Sequence, residues 1–246
     1  MILQGKIAIV TGAGQGGGQG IANVLAREGA KVTIADLNLD RAKVAAGLIK
    51  SRNGEAMAYR VDVMKMSEVN AMVEATLRAY GGLHILVNNA VAPSINVPFA
   101  QSKEEDWDQD LGVGLKGYLI CTRAVINHFL QQNYGRIISI SSSAGKMGSP
   151  NLAAYSAAKG AIIGFTKALA RELARLLHGL LCHVNLIQLN PVAESPYQPS
   201  SPARAAAFLA VLEKAGIPAT MRTRRGLDID AGCGQLRRRV ARETRR

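Results

Sequence analysis

The chain has 246 residues, of which 48% are apolar, and its formal net charge is +12. This length suits one α/β domain with a full hydrophobic core, and no apolar stretch is long enough to span a membrane. The three scattered cysteines indicate a reducing, cytoplasmic setting. Cys182, His183 and His178 could suggest a metal site, but no further ligands have a suitable spacing, so we expect no metal. Without an apolar span we expect no membrane partner.

The first predicted element is a strand that runs into a glycine-rich turn. Residues 6–10 are almost continuously apolar, which is typical of a strand buried on both faces. Residues 11–20 contain six glycines, and helical periodicity follows at Ile21, Val24 and Leu25. This order brings backbone N–H groups and a helix N-terminus against a pyrophosphate, and glycine permits its close approach. The alternative, a flexible glycine linker, would not lie between a buried strand and an amphipathic helix.

A second predicted strand, residues 31–36, ends in Asp36. An acidic side chain about 20 residues after the glycine turn can accept hydrogen bonds from the ribose hydroxyls of an adenosine. It would also repel a 2′-phosphate, so Asp36 favours NAD over NADP as the cofactor. The alternative is an ordinary surface aspartate at a strand end.

The elements that follow continue to alternate. Helices are predicted at residues 39–52 and 65–80, strands at 56–62, 84–88 and 136–141, and one long helix at 102–132. The alternation predicts an α/β fold, a Rossmann-type doubly wound parallel sheet in three αβα layers. The cofactor would lie at the carboxyl ends of the strands.

Tyr155 and Lys159 lie four residues apart on the next predicted helix, after Ser142 in a serine cluster. Residues at that spacing share one helix face, and an ammonium beside a phenol favours the phenolate. Such a phenol can exchange a proton with a substrate hydroxyl or carbonyl, and a serine hydroxyl can hold the same oxygen. This spacing also arises by chance, so its meaning depends on the nucleotide-binding pattern of the first hundred residues.

With these motifs in this order, residues 1–175 resemble the short-chain dehydrogenase/reductase family. The resemblance also includes Asp62-Val63 after the third strand and Asn88-Asn89-Ala90 after the fourth. It implies that the cofactor is bound by Gly12, Gly16, Gly17, Gly18, Asp36, Asp62, Val63, Asn88, Tyr155 and Lys159. Asp36 would take the adenosine ribose, Asp62 and Val63 the adenine, and Asn88 the nicotinamide side.

The resemblance further implies three catalytic residues. Tyr155 would be the general acid/base, Lys159 would favour its phenolate and bind the nicotinamide ribose, and Ser142 would orient the substrate oxygen. The expected activity is NAD(H)-dependent hydride transfer to or from a small alcohol or carbonyl substrate of the secondary alcohol/ketone type. The expected assembly is a homo-oligomer, either a dimer or a tetramer.

Three positions depart from the family pattern. Gly114 stands where the family has an asparagine that supports a water in the lysine's proton relay, and Val91 stands where glycine is common. Gly17 replaces the usual hydrophobic residue of the loop. These departures keep open an alternative function, a cofactor-binding protein with little or no activity.

The last seventy residues follow another pattern. Residues 183–191 and 225–236 resemble the C-terminal end of the radical-SAM 23S rRNA adenine methyltransferases. That family needs three closely spaced cysteines for its iron–sulfur cluster, and Cys121, Cys182 and Cys233 are far apart, so methyl transfer is not expected. We therefore expect a chimera, an NAD-binding core at 1–175 and an atypical segment at 176–246. A strand at 184–189, a helix at 201–215 and a strand at 219–222 would complete the same sheet.

The tail is strongly basic. Residues 176–246 contain 11 Lys/Arg against 5 Asp/Glu, and residues 237–246 form a basic run. This run could contact nucleic-acid phosphates weakly, which leaves an RNA-binding protein as a further alternative. The other interpretation is a mobile, solvated C-terminus.

Overall fold

A parallel sheet lies at the centre of the computed structural model. Its five strands are β1 (Ile7–Thr11), β2 (Lys31–Asp36), β3 (Ala56–Arg60), β4 (Ile85–Asn88) and β5 (Arg136–Ser139). They stand in the order β3-β2-β1-β4-β5, and every neighbouring pair is parallel. β2 and β4 lie on opposite sides of β1, so the strand order reverses beside β1. Doubly wound folds bind their ligands at such a point.

The structure describes residues 1–92, 94–176, 184–187 and 219–222, together with six helical positions between 203 and 213. The chain divides into two units, Met1–Leu173 and Ala174–Arg246. The five-stranded sheet belongs to the first unit.

Helices cover both faces of this sheet. They are α1 (Gly16–Arg27), α2 (Leu39–Lys50), α3 (Met66–Tyr80), α4 (Glu104–Leu111), α5 (Gly117–Gln131), α6 (Ser143–Met147) and α7 (Ala153–Leu176). Alternate residues of β1 enter two separate hydrophobic clusters. Ala8 and Val10 pack with α1 and α2, whereas Ile7 and Ile9 pack with α3 and α5. The strand period of two thus produces the expected αβα layers, and the predicted fold class is confirmed.

The single long helix predicted at residues 102–132 is interrupted. α4 starts at Glu104, and a π-helical turn, Gly112–Lys116, separates it from α5. Glycines make the close packing here possible, because a Cβ at Gly112 would lie 2.7 Å from Met64 Cε and one at Gly117 would lie 2.7 Å from Val63 Cγ2. The wide turn therefore lies where the helix approaches the segment after β3, a contact that helical periodicity does not reveal.

The second unit contains β6 (Val184–Ile187) and β7 (Ala219–Arg222), which pair in parallel. Helical positions lie between them in the chain, as the predicted strand–helix–strand order requires. The packing of residues 176–246 on the first sheet stays a prediction. Cys233 and the basic run 237–246 lie outside the described residues. Within the described part of the chain, no helix is long and apolar enough to cross a membrane.

Candidate active site

The glycine-rich turn connects β1 to α1 and brings backbone close to backbone. Gly12 and Gly16 have φ of +61° and +59°, a region that favours glycine. A Cβ at Gly18 would lie 2.3 Å from the carbonyl oxygen of Gly12, so no other residue fits there. Gln15 precedes α1, and its side chain does not cap the helix. The first N–H groups of α1 are therefore available to an anion.

Asp36 joins the end of β2 to this turn. Its Oδ2 accepts a hydrogen bond from the Gly14 N–H at 2.8 Å, and its Oδ1 accepts one from the Asn38 N–H at 3.0 Å. Each carboxylate oxygen has a second lone pair, so the half-buried group can still accept from a ribose hydroxyl. The N–H groups of the turn and of the uncapped helix are hydrogen-bond donors, and the Asp36 carboxylate is an acceptor. Together they suit an adenine dinucleotide.

Asp62 and Val63 follow β3 at the same edge of the sheet. Asp62 Oδ1 accepts from the Met64 N–H at 3.0 Å, and the Asp62 N–H donates to Glu68 Oε2 at 2.9 Å. That backbone hydrogen bond, with the Lys65 ammonium, lowers the pKa of Glu68. Val63 is buried in the hydrophobic core, packed against α5. Both residues are held in place, and their contact with adenine stays a prediction.

Asn88 ends β4 and Asn89 follows it, and the two side chains have different surroundings. Asn88 is completely buried, and its Nδ2 donates to Thr122 Oγ1 on α5 at 3.1 Å. Asn89 instead links β4 to the glycine turn, because its Nδ2 donates to the carbonyl oxygens of Thr11 and Gly12 at 2.9 and 3.1 Å. In this structure Asn88 braces the sheet against α5, so its role on the nicotinamide side stays a prediction.

Ser142 caps the short helix that follows β5. Its Oγ accepts a hydrogen bond from the Ala144 N–H at 3.2 Å. The neighbouring Ser141 hydroxyl donates to the carbonyl oxygen of Lys159 at 2.7 Å. A Cβ at Gly145 would lie 2.3 Å from the Lys159 carbonyl carbon, so α6 and α7 touch backbone to backbone. These contacts hold the segment that carries Ser142 against the helix that carries the other two predicted catalytic residues.

Lys159 is 1% exposed although its side chain is ionisable. Its Nζ donates to the carbonyl oxygen of Ile140, the residue after β5, at 2.7 Å and to Tyr118 Oη at 3.0 Å. Burial lowers the pKa of Lys159 from 10.5 to about 8, and the negative charge of Asp110 opposes this shift. A lysine so placed is a feature of functional sites, where burial and a charged partner act together.

Tyr155 lies on the same face of α7. The Lys159 Nζ is 5.9 Å from the centroid of the Tyr155 ring, and that ring is half-buried. The spacing of the two residues along the helix thus brings them together as predicted, next to the Ser142 segment. A group of three or more metal-binding side chains is absent from the described residues.

Two polar residues at this site were not predicted. Tyr118 on α5 and Asp110 on α4 are both buried, and Asp110 Oδ1 is 2.5 Å from Ser94 Oγ. The sequence held one signal, since Asp110 and Tyr118 lie four residues before and after Gly114, at the spacing of a shared helix face. Gly114 itself is buried, and a Cβ there would be 3.5 Å from the Cβ of Ala158.

Comparison with known proteins places this geometry in a family. A family model described as short chain dehydrogenase matches residues 6–202. A 3-oxoacyl-acyl-carrier-protein reductase from Synechocystis is 39% identical over 176 residues, which cover 70% of each chain. A 4-formylbenzenesulfonate dehydrogenase from Comamonas testosteroni is 37% identical over 175 residues, 71% of this chain and 69% of that one. A crystal structure of a short-chain type dehydrogenase/reductase from Mycobacterium marinum superposes with a TM-score of 0.69, at 28% identity over 75% of each chain.

The same comparisons bear on the tail. The family match continues to residue 202, beyond the boundary near residue 175 that the sequence suggested. The resemblance of residues 176–246 to rRNA methyltransferases finds no support in them. That resemblance rested on two short segments, residues 183–191 and 225–236, and a likeness over so few residues is weak evidence of common origin.

Proposed function

The chain belongs to the short-chain dehydrogenase family, and from that premise we propose that it is an NAD(H)-dependent oxidoreductase. Its substrate would be a small secondary alcohol or the matching ketone. One observation carries the proposal: the buried ammonium of Lys159 lies on the Tyr155 face of α7, against the segment that carries Ser142. The names of the relatives describe chemically different substrates, so they support the reaction class and leave the individual substrate open.

Separate residues would bind the cofactor, orient the substrate and transfer the proton. The cofactor, when bound, supplies or accepts the hydride. The glycine turn and the first N–H groups of α1 hold its pyrophosphate, and Asp36 holds its adenosine ribose. Ser142 orients the substrate oxygen. Tyr155 Oη gives a proton to that oxygen during reduction and takes one during oxidation, and the Lys159 ammonium lies on the same face of α7 as this phenol.

Asp36 supports NAD over NADP as the cofactor. Its carboxylate already accepts two backbone N–H groups, which fix it at the end of β2. A 2′-phosphate next to this fixed negative charge would be repelled, whereas a 2′-hydroxyl can donate to it.

A second candidate function is cofactor binding with little turnover. Gly114 supplies no side chain to the buried polar group around Lys159, and the Lys159 Nζ is engaged by Tyr118 and Ile140 instead. The two candidates share their cofactor site and differ in whether the proton reaches the substrate.

The decisive experiment is a fluorescence titration of the full chain with NADH and, in parallel, NADPH. We expect saturable NADH binding and weaker NADPH binding. Asp36→Asn should weaken NADH binding about tenfold, because it removes a charged hydrogen-bond acceptor. The matched control is Asp40→Asn, an exposed acid in the first turn of α2, which should change nothing.

Turnover is tested next with a panel of alcohols and ketones. Activity that is lost in Tyr155→Phe supports the oxidoreductase. Binding of NADH without turnover of any member of the panel supports the second candidate. Absence of binding in folded protein would refute both.

We also infer a homo-oligomer, a dimer or a tetramer, because family members are often oligomeric. Leu111 on α4 and Leu119 on α5 are each 38% exposed, so these two helices offer apolar surface to a second copy of the chain. Light scattering of the purified chain tests this inference, and a monomer at micromolar concentration would contradict it. A cytoplasmic location fits the free, buried thiol of Cys121.

A further inference from the structure

We propose that Tyr118 is a positioning residue of this active site, whose buried hydroxyl holds the ammonium of Lys159 on the Tyr155 face of α7. The role in catalysis rests on the proposed function. The contact itself stands on the geometry of α5, α7 and the end of β5.

Three polar atoms around Lys159 are hydrogen-bonded to one another. The Lys159 Nζ donates to Tyr118 Oη at 3.0 Å and to the Ile140 carbonyl oxygen at 2.7 Å, and Tyr118 Oη donates to the same carbonyl at 3.2 Å. Because the phenol proton is directed to the carbonyl, a phenol lone pair is left to face the ammonium. Tyr118 and Lys159 are each 1% exposed, so water contributes little to either group.

The tyrosine ring contributes as well. The Lys159 Nζ is 4.8 Å from the centroid of the Tyr118 ring, within the range of a cation–π interaction. A buried ammonium is stable only when such partners replace its hydration. Gly114 lies four residues before Tyr118 and offers no side chain. Within the described chain, the Lys159 Nζ accordingly has one side-chain hydrogen-bond partner from α5, the Tyr118 hydroxyl.

The surrounding titratable groups define what the hydroxyl does. Asp110 on α4 favours the charged form of Lys159, Cys121 lies on α5, and Tyr155 faces the pair from α7. Burial raises the pKa of Tyr118, and burial raises the pKa of Cys121 to about 12, so both stay neutral. A neutral phenol that accepts from the ammonium favours the charged form, and its removal should let Lys159 lose its proton at a lower pH.

The test follows the titration of Lys159 directly, without cofactor, by NMR of protein labelled in its lysine side chains. The Lys159 signal is assigned by its loss in Lys159→Arg. In Tyr118→Phe the midpoint should fall by about one to two pH units, as expected for the loss of a hydrogen bond to a charged group. Tyr80→Phe is the matched control, since Tyr80 lies on α3 beside Lys31, and it should leave the midpoint unchanged. An unchanged midpoint in Tyr118→Phe overturns the proposal.

A second pair of variants tests the proposal even if Tyr118→Phe does not fold. Tyr118→Gln keeps an oxygen acceptor in the side chain, whereas Tyr118→Leu has none. The proposal expects a higher Lys159 midpoint in Tyr118→Gln than in Tyr118→Leu. Equal midpoints in these two variants would count against it.

Catalysis supplies the remaining readout. Tyr118→Phe should lower kcat about tenfold or more and move the alkaline limb of the pH profile to lower pH, with a smaller effect on the KM of the carbonyl substrate. A shifted midpoint with an unchanged kcat and pH profile would overturn the catalytic part of the proposal. If the wild-type chain binds no NADH, the proposed function fails, while the NMR titration still decides whether Tyr118 holds Lys159.

Discussion

Lys159 has exchanged water for the Tyr118 hydroxyl and the Ile140 carbonyl, with only 1% of its surface exposed. Burial brings its pKa down to about 8, and the carboxylate of Asp110 limits the fall. We therefore expect the ammonium, which the proposed chemistry needs, to be lost as the pH rises through about 8. At the scale of residues, the pKa of Lys159 is set by its burial and by the nearby carboxylate of Asp110.

The pH dependence of activity tests this tuning. Because kcat/KM reports groups of the free enzyme, it should fall as pH rises through about 8, where the Lys159 ammonium is lost. Asp110→Asn removes the negative charge that favours the ammonium, so the falling limb should move to lower pH. Asp108→Asn, an exposed acid on the same helix, should leave the limb where it is. A limb that does not respond to Asp110→Asn would show that another group titrates.

Stability gives an independent test of the same burial. The pKa of Lys159 is lowered from 10.5 in the unfolded chain to about 8 in the folded one, so the unfolded state binds more protons between these values. The unfolding free energy of the wild type should rise, relative to Lys159→Met, by up to about 1.4 kcal/mol per pH unit in that window. Below pH 8 the difference should be constant. Urea denaturation followed by the single tryptophan, Trp107, measures it, and a flat difference above pH 8 would contradict the burial.

What the sequence revealed at this scale was local. Tyr155 and Lys159 share a helix face because they are four residues apart, and Asp36 stands at a fixed distance from the glycine turn. Tyr118 was missed because its contact with Lys159 joins residues 41 positions apart. The spacing of Tyr118 from Gly114 indicates a shared helix face, but the contact with Lys159 depends on how α5 and α7 meet and cannot be read from that spacing.

Glycines decide how the elements fit together. Strands and helices were predicted close to their observed positions, and β2 has its predicted bounds, since apolar runs and helical periods are local signals. The π-helical turn between α4 and α5 was not predicted, because it accompanies the packing of Gly112 and Gly117 on Met64 and Val63. Such turns are frequent at functional sites, and here Gly114 lies inside one.

Two glycines in helices should respond in opposite ways to alanine. In Gly18→Ala the new Cβ would collide with the Gly12 carbonyl oxygen at 2.3 Å, so we expect loss of NADH binding and a lower melting temperature. Gly47 on α2 is exposed and has no atom within 4 Å of a Cβ, so Gly47→Ala should stabilise the protein by about 1 kcal/mol with unchanged binding. Thermal melting and NADH titration of both variants check this. Normal NADH affinity in Gly18→Ala would show that the turn does not bind the pyrophosphate.

At the scale of the whole molecule, the chain has two units and one family match that runs across their boundary. The core of the first unit was predictable because its central strands β1, β2 and β4 are apolar and buried and its motifs follow in order. The second unit was harder to interpret, because its motifs are short and the second resemblance that they suggested finds no support. Both of its strands were nevertheless predicted, β6 from an apolar run that starts at Val184 and β7 with its observed bounds.

The burial of Lys159 has a thermodynamic consequence for ligand binding. A dinucleotide with anionic phosphates and ribose hydroxyls should favour the ammonium and raise its pKa above the free value of about 8. At a pH between the free and the raised pKa, binding must then be accompanied by proton uptake from the buffer, and affinity must decline as the pH rises through that interval. Calorimetry in two buffers of different ionisation enthalpy would register this uptake as a difference in the heat of NADH binding. That difference should vanish well below pH 8, where the free protein already holds the proton. Equal heats in both buffers at alkaline pH would mean that the cofactor leaves the Lys159 equilibrium untouched.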